Sequence, residues 1–435
     1  MAPNPEIPTP PPEAVPQEEK QTLPAMEYGE LTEEEKRKME IVESQFNNPQ
    51  FVEIDAPGVE GKKLKIEYVI LDARNQDDLA RAQEMNERTV IHIPGFGSSY
   101  RANEQYEKLM AVKEKKRVII ISQPSTGGSD NAPQEWRKWS RTERSFEPFA
   151  DVVDKTLEAI RQQEEQSGRP LTTPELSISS SSMGSIIAVD FAVKHPDQVK
   201  DLVLMHPGGV NEESVLALAS RYFPETIGGK GGVKAVIRNF LPNRRSNKPT
   251  DELDPVYIEK LKQAYADMAG KSTLKNKNMR VADSSKLHEI PGASIEESYQ
   301  LAGGQGDYNF LQAERQDKEF RTRVGRDIAA DSKVNTVNKE GLKWRIWEAF
   351  TIAKGGLLRQ LPHIKANTYV VFGNKDQMFP AEQMGKVTDA LTNAPTVMTD
   401  TFQTRHDDIY GDARKYTASV GGFFDKMREK EKVGQ

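Results

Sequence analysis

Two hydrophobic periods take turns along most of this chain. Leu64–Asp72 alternates polar and apolar residues with a period of two, as a half-buried strand does. Thr89–Ile93 and Arg117–Ser122 are short β-branched runs, the pattern of parallel strands buried on both faces. Glu175–Ser181, Val199–His206, Ala366–Gly373 and Thr396–Thr399 continue the series. Helix-period stretches separate them, among them Ala102–Lys113, Phe149–Gln163 and Gly184–Lys194. Strands alternating with helices predict an α/β domain, with a mostly parallel central sheet flanked by helices.

The rhythm breaks between about Gly209 and His363, where helix-period segments and charged loops take over. Asp254 and Pro255 open one such segment, and Tyr257, Leu261, Ala264, Tyr265 and Met268 share one face of it. Trp344, Trp347, Phe350 and Leu357 suggest another helix near the end of the interval. Strand patterns bracket the interval on both sides, which predicts an insertion into one fold. Upstream, Thr32 with Glu35 forms a capping-box signature, and Met39, Val42 and Phe46 then fall on one helical face. Met1 to Pro24 holds eight prolines and no apolar run, the composition of a disordered tail. The expected layout is a tail over 1–30, an amphipathic helix over 31–50, and a core in two parts, 51–209 and 363–435. A mainly helical cap over 210–362 is inserted between those parts.

Composition narrows the function classes. A formal net charge of -6 gives no electrostatic footprint for nucleic acid. No apolar run approaches the ~20 residues that span a bilayer. The chain has no cysteine, which excludes disulfides, thiol catalysis and cysteine-ligated metals. The amino-terminal stretch does not resemble a signal peptide, so a cytoplasmic address is expected.

The most informative residues are Ser180-Ser181-Ser182-Met183-Gly184, between a strand and a helix. A serine at a sharp strand-to-helix turn needs small residues two positions either side of it. Ser180 and Gly184 meet that need only when the frame is centred on Ser182, which makes Ser182 the candidate nucleophile. Its hydroxyl needs an imidazole to take its proton. Of six histidines, His406 lies in a loop after the last predicted strand, where it can return to the serine. His195 is about three helical turns from Ser182, too far to serve. An acid must orient the imidazole, and Asp376, just past Ala366–Gly373, is the candidate; Glu212, after His206, is the alternative. Two amides must receive the oxyanion. Met183 follows the nucleophile, and Phe96 lies in the Pro94-Gly95-Phe96-Gly97-Ser98 turn after an early strand.

The order of these elements and motifs resembles the α/β-hydrolase fold superfamily. The Ser180-x-Ser182-x-Gly184 elbow departs from the family's Gly-x-Ser-x-Gly at its first position. Gly373, Asp376 and Pro380 match the family's Gly-x-x-Asp with a following proline, and Gly127 and Ser129 match part of a second loop motif. His92 and Gly95 stand where the family commonly has an adjacent His-Gly pair. The resemblance implies an α/β-hydrolase fold with a large cap. It also implies a serine hydrolase acting on a small-molecule ester, thioester or amide without cofactor or metal. An acyltransferase or peptidase using the same triad, or a non-catalytic interaction protein on the same scaffold, remains open. An asparagine at position 376 is expected to hurt less than loss of Ser182 or His406, because an oriented imidazole keeps some basicity. Oligomeric state is not readable.

Overall fold

The computed structural model describes residues 31–100, 103–137, 145–168, 171–213, 347–374, 376, 378–380, 383–402, 406 and 413–434. The tail over 1–30 and most of the expected cap, residues 214–346, lie outside the described residues.

An eight-stranded sheet carries the molecule, in the order β1-β2-β4-β3-β5-β6-β7-β8. β1 (Gln50–Asp55) and β2 (Lys63–Leu71) pair antiparallel, and β2 meets β4 (Val118–Ile121) antiparallel. From β4 onward every pairing is parallel, through β3 (Thr89–Ile93), β5 (Leu176–Ser181), β6 (Val199–Met205), β7 (Asn367–Gly373) and β8 (Val397–Phe402). A mostly parallel sheet with an antiparallel second strand and this crossover order is the α/β-hydrolase fold. β-branched runs put side chains into cores on both faces. Along β6, Leu202 and Leu204 enter one core while Val203 and Met205 enter the other.

Helices cover each face. On one side lie α4 (Glu147–Gln166) and α5 (Gly184–Lys194), with Phe149, Val153, Ile186 and Val189 buried. On the other side lie α1 (Glu33–Phe46), α3 (Glu104–Val112) and α8 (Ala413–Gly434). Tyr416, Val420, Phe423 and Met427 form the buried stripe of α8, at the three- and four-residue spacing that keeps side chains on one helical face. α1 begins at a reciprocal capping box between Thr32 and Glu35 and buries Met39, Val42 and Phe46. Two elements escape the sequence pattern: β1, and α2 (Gln76–Glu84), whose buried residues are only Asp78 and Ala82. The last strand extends to Phe402, three residues past the expected end. Where the chain returns from the insertion, residues 347–353 are helical and α6 (Leu357–Gln360) follows, so Leu357 belongs to a separate short helix; α7 (Gln383–Ala390) connects β7 to β8. Val210, Ile352, Ala353 and Leu357 are buried in the same core as α4 and α5.

One buried acid joins these helices. Asp190 on α5 accepts Phe146 N–H (2.8 Å) and Ser145 Oγ–H (3.1 Å) at the start of α4. Burial pushes its carboxyl up to about 7, against the pull of those two bonds. Between the unfolded value near ~4 and 7 the folded state therefore binds more protons, so stability falls as pH rises across that window. Asp190→Asn keeps an acceptor for both donors and removes the buried charge. Its melting temperature should exceed the wild type's by a margin that opens between about pH 4 and 7 and is flat above. Thermal melts across pH check this; a margin that shrinks as pH rises contradicts the assignment.

Candidate active site

Ser182 follows the last residue of β5 and immediately precedes the turn into α5. Its backbone is left-handed, with φ +52°, a conformation a non-glycine residue rarely holds without surrounding support. That support is visible. Ser182 N–H donates to Met205 O (3.0 Å), and Gly208 N–H donates to Ser182 O (3.0 Å). A Cβ at Gly184 would lie 2.2 Å from Ile93 O and 2.5 Å from Pro94 O, so only glycine lets α5 start this close to the turn after β3. Ser180 is tolerated at the other small position because its hydroxyl is satisfied, donating to Val203 O at 2.9 Å.

The structure brings Ser182, His406 and Asp376 into contact. His406 Nε2 lies 2.9 Å from Ser182 Oγ, and His406 Nδ1 lies 2.9 Å from Asp376 Oδ2. His406 is buried at 6% exposure and Asp376 at 4%, while Ser182 is half-buried. The ring of Phe379 packs edge-on against His406, with centroids 5.0 Å apart. An ionised carboxylate can only accept, so the proton sits on Nδ1 and Nε2 is left to accept the serine proton. Burial opposes ionisation of Asp376. The charge of His406 and hydrogen bonds from His206 and His406 outweigh it and hold the carboxyl well below the usual range. Its other oxygen, Oδ1, accepts the backbone N–H groups of Met378 and Phe379, each at 2.9 Å. Glu212 is exposed, and the Nδ1 it would have needed is taken by Asp376. The acid facing His406 is therefore Asp376.

Met183 N–H makes no hydrogen bond among the described residues, as a donor kept for a ligand would. The Pro94–Ser98 turn adjoins the serine: a Cβ on Gly95 would stand 3.1 Å from Ser182 Cβ. Phe96, next in that turn, is partly buried against the core. His92 is not at the site. It is fully buried, with Nδ1 2.8 Å from Ser179 Oγ and Nε2 2.6 Å from Asn103, and burial pulls it down to about 3.

Sequence reasoning missed His206. It is fully buried one residue past β6, with Nδ1 2.9 Å from Asp376 Oδ2. The available signal was its position, since the register Ser181↔Met205 sets it level with Ser182 on the next strand. Among the described residues, His206, Asp376 and His406 are the set whose ligand atoms lie within 4.8 Å of one another, and they could hold a metal ion. Both Nδ1 atoms approach one carboxylate oxygen at 2.9 Å, an arrangement that hydrogen bonds alone account for.

No family model and no curated protein matches the chain. Among solved structures, it is similar to a thermophilic esterase from Thermogutta terrifontis, at 14% identity over 87% of this chain and 99% of that one, with a TM-score of 0.46. It is also similar to an esterase from Exiguobacterium antarcticum, at 14% identity over 86% and 100%, with a TM-score of 0.45. The thioesterase domain from the curacin biosynthetic pathway is similar at 15% identity over 87% and 99%, with a TM-score of 0.43. Strand order and the left-handed elbow at Ser182 define the fold. Among the described residues, no helix is long and apolar enough to cross a membrane.

Proposed function

We propose that this chain is a serine hydrolase that cleaves a small-molecule ester, thioester or amide through an acyl-enzyme on Ser182. One observation carries the reading: the unbroken chain of hydrogen bonds from Ser182 Oγ through His406 to Asp376, each link 2.9 Å long. Ser182 Oγ attacks the carbonyl carbon while its proton passes to His406 Nε2. Asp376 steadies the resulting imidazolium through Nδ1–H. The carbonyl oxygen, now an oxyanion, turns toward the Met183 and Phe96 amides, and each such donor is typically worth about 10²–10³ in rate. His406 then returns the proton to the leaving alcohol, thiol or amine, which departs. Water attacks the acyl-enzyme by the same route in reverse, losing its proton to Nε2, and the acid leaves with Ser182 restored. No step asks for a cofactor.

The reading makes a direct claim about one oxygen atom. A fluorophosphonate probe should label the full-length chain stoichiometrically on Ser182, and Ser182→Ala should take up none. An unlabelled wild type, or a label that survives Ser182→Ala, would remove the basis for the proposal.

A further inference from the structure

Asp376 serves two histidines, and only one of them faces the serine. His206 and His406 both approach Oδ2 through Nδ1 at 2.9 Å, with their rings 86° apart and centroids 5.7 Å apart. Because the carboxylate only accepts, both Nδ1 atoms carry protons. Behind His206, the Tyr416 hydroxyl on α8 lies 2.5 Å from Nε2. A neutral imidazole protonated at Nδ1 has a bare Nε2, so the phenol donates there and fixes the tautomer. With Met378 and Phe379 N–H on Oδ1, Asp376 therefore accepts four donors, two on each oxygen.

We propose that His206 is a positioning residue, which holds Asp376 Oδ2 beside His406, divides its charge between two imidazoles, and so sets the pH at which His406 becomes a base. This rests on the serine-hydrolase reading of Ser182, His406 and Asp376. A carboxylate favours imidazolium most when its charge is drawn to one partner. A second N–H on the same oxygen competes for that charge, so protonated His406 is favoured less and the neutral, basic form persists to lower pH. The second bond also restrains rotation of the carboxyl group, keeping Oδ2 in line with His406. Filling space does not explain the residue. An apolar side chain would pack there without a polar ring to satisfy, whereas His206 holds a left-handed backbone (φ +49°) and both ring nitrogens have partners.

Among the described residues, the ionisable groups hydrogen-bonded in this cluster come from separate elements: Asp376 after β7, His406 after β8, His206 after β6 and Tyr416 on α8. His92 on β3 and Glu107 on α3 are further buried ionisable groups. The ring nitrogens of His92 face Ser179, Asn103 and Glu107 rather than His206.

The test follows the ring nitrogens of ¹⁵N-histidine-labelled full-length protein by NMR across pH, for wild type, His206→Asn and His206→Ala. In the wild type at neutral pH, both His206 and His406 should carry their proton on Nδ1. A bare Nδ1 on His206 would overturn the proposal with no variant needed. His206→Ala should raise the His406 titration midpoint by about one pH unit. His206→Asn suits the left-handed backbone and places an amide N–H where Nδ1–H was, so it should stay within about 0.3 unit of wild type. An unchanged midpoint in a folded alanine variant, or an asparagine shift as large as alanine's, would refute the role. The acid limb of kcat/KM should move with the midpoint. Should Ser182 prove unreactive and no ester be turned over, the hydrolase reading fails, while the midpoint still decides what His206 does to His406.

Discussion

Ser182→Ala and His406→Ala should each lower kcat by about 10⁵–10⁶, and the double variant should be scarcely slower than either. The reason is geometric. Among the described residues, Ser182 Oγ has no other histidine base within reach: His92 is spent on Ser179 and Asn103, and His206 points both nitrogens away, at Asp376 and Tyr416. Without His406, the serine must lose its proton to water. Without Ser182, His406 has no nucleophile in place, so removing the second member takes little more. On the proposed mechanism, residual turnover over water would come from the amides of Met183 and Phe96 and from binding, neither of which the substitutions touch. Initial rates on chromogenic esters of graded acyl length, with active-site titration to count competent molecules, measure this. Losses that add in the double variant, or a His406→Ala enzyme within about tenfold of wild type, would mean that the two side chains do not act as a unit.

The elbow was legible because sterics leave its trace in residue size. Gly184 must be bare where Ile93 O and Pro94 O approach, and Ser180 can differ from glycine because Val203 O takes its hydroxyl. His406 and Asp376 were legible by position, each in a turn beyond the carboxyl end of a strand, which is where parallel strands deliver loops to one edge. β1 left a weaker trace. It is an edge strand that buries only Val52 and Ile54, so its pattern is short and its charges read as loop. α2 has almost no apolar face, since Asp78 is held by Lys38 and Lys115 rather than by hydrophobic contact. His206 was hidden for a different reason. In the sequence it ends an apolar strand like any buried polar residue. Only the register with β5, a long-range fact, places it beside the acid.

Asp376→Asn should cost about 10⁴ in kcat, less than loss of Ser182 or His406 but not for the reason the sequence suggests. The expectation from sequence is an imidazole still oriented and somewhat basic. The hydrogen bonds around the carboxyl group argue that orientation survives and basicity toward Ser182 does not. Oδ1 is fixed by two backbone donors, Met378 and Phe379 N–H, so the asparagine oxygen must stay there. Its NH₂ then replaces Oδ2 and meets the Nδ1–H groups of both His406 and His206, donor against donor. Relief comes if each ring moves its proton to Nε2. For His406 that proton then faces Ser182 Oγ, and the base has no lone pair left for the serine. The ¹⁵N spectrum of Asp376→Asn should therefore show His406 protonated at Nε2, with the slow turnover following from that exchange. In the wild type, Asp376 stays ionised far below the working range, because the two histidines outweigh its burial. The acid limb of the rate profile should accordingly report an imidazole rather than a carboxylate. An Asp376→Asn enzyme within about tenfold of wild type, with His406 still protonated at Nδ1, would show that Asp376 does not set the tautomer of the base.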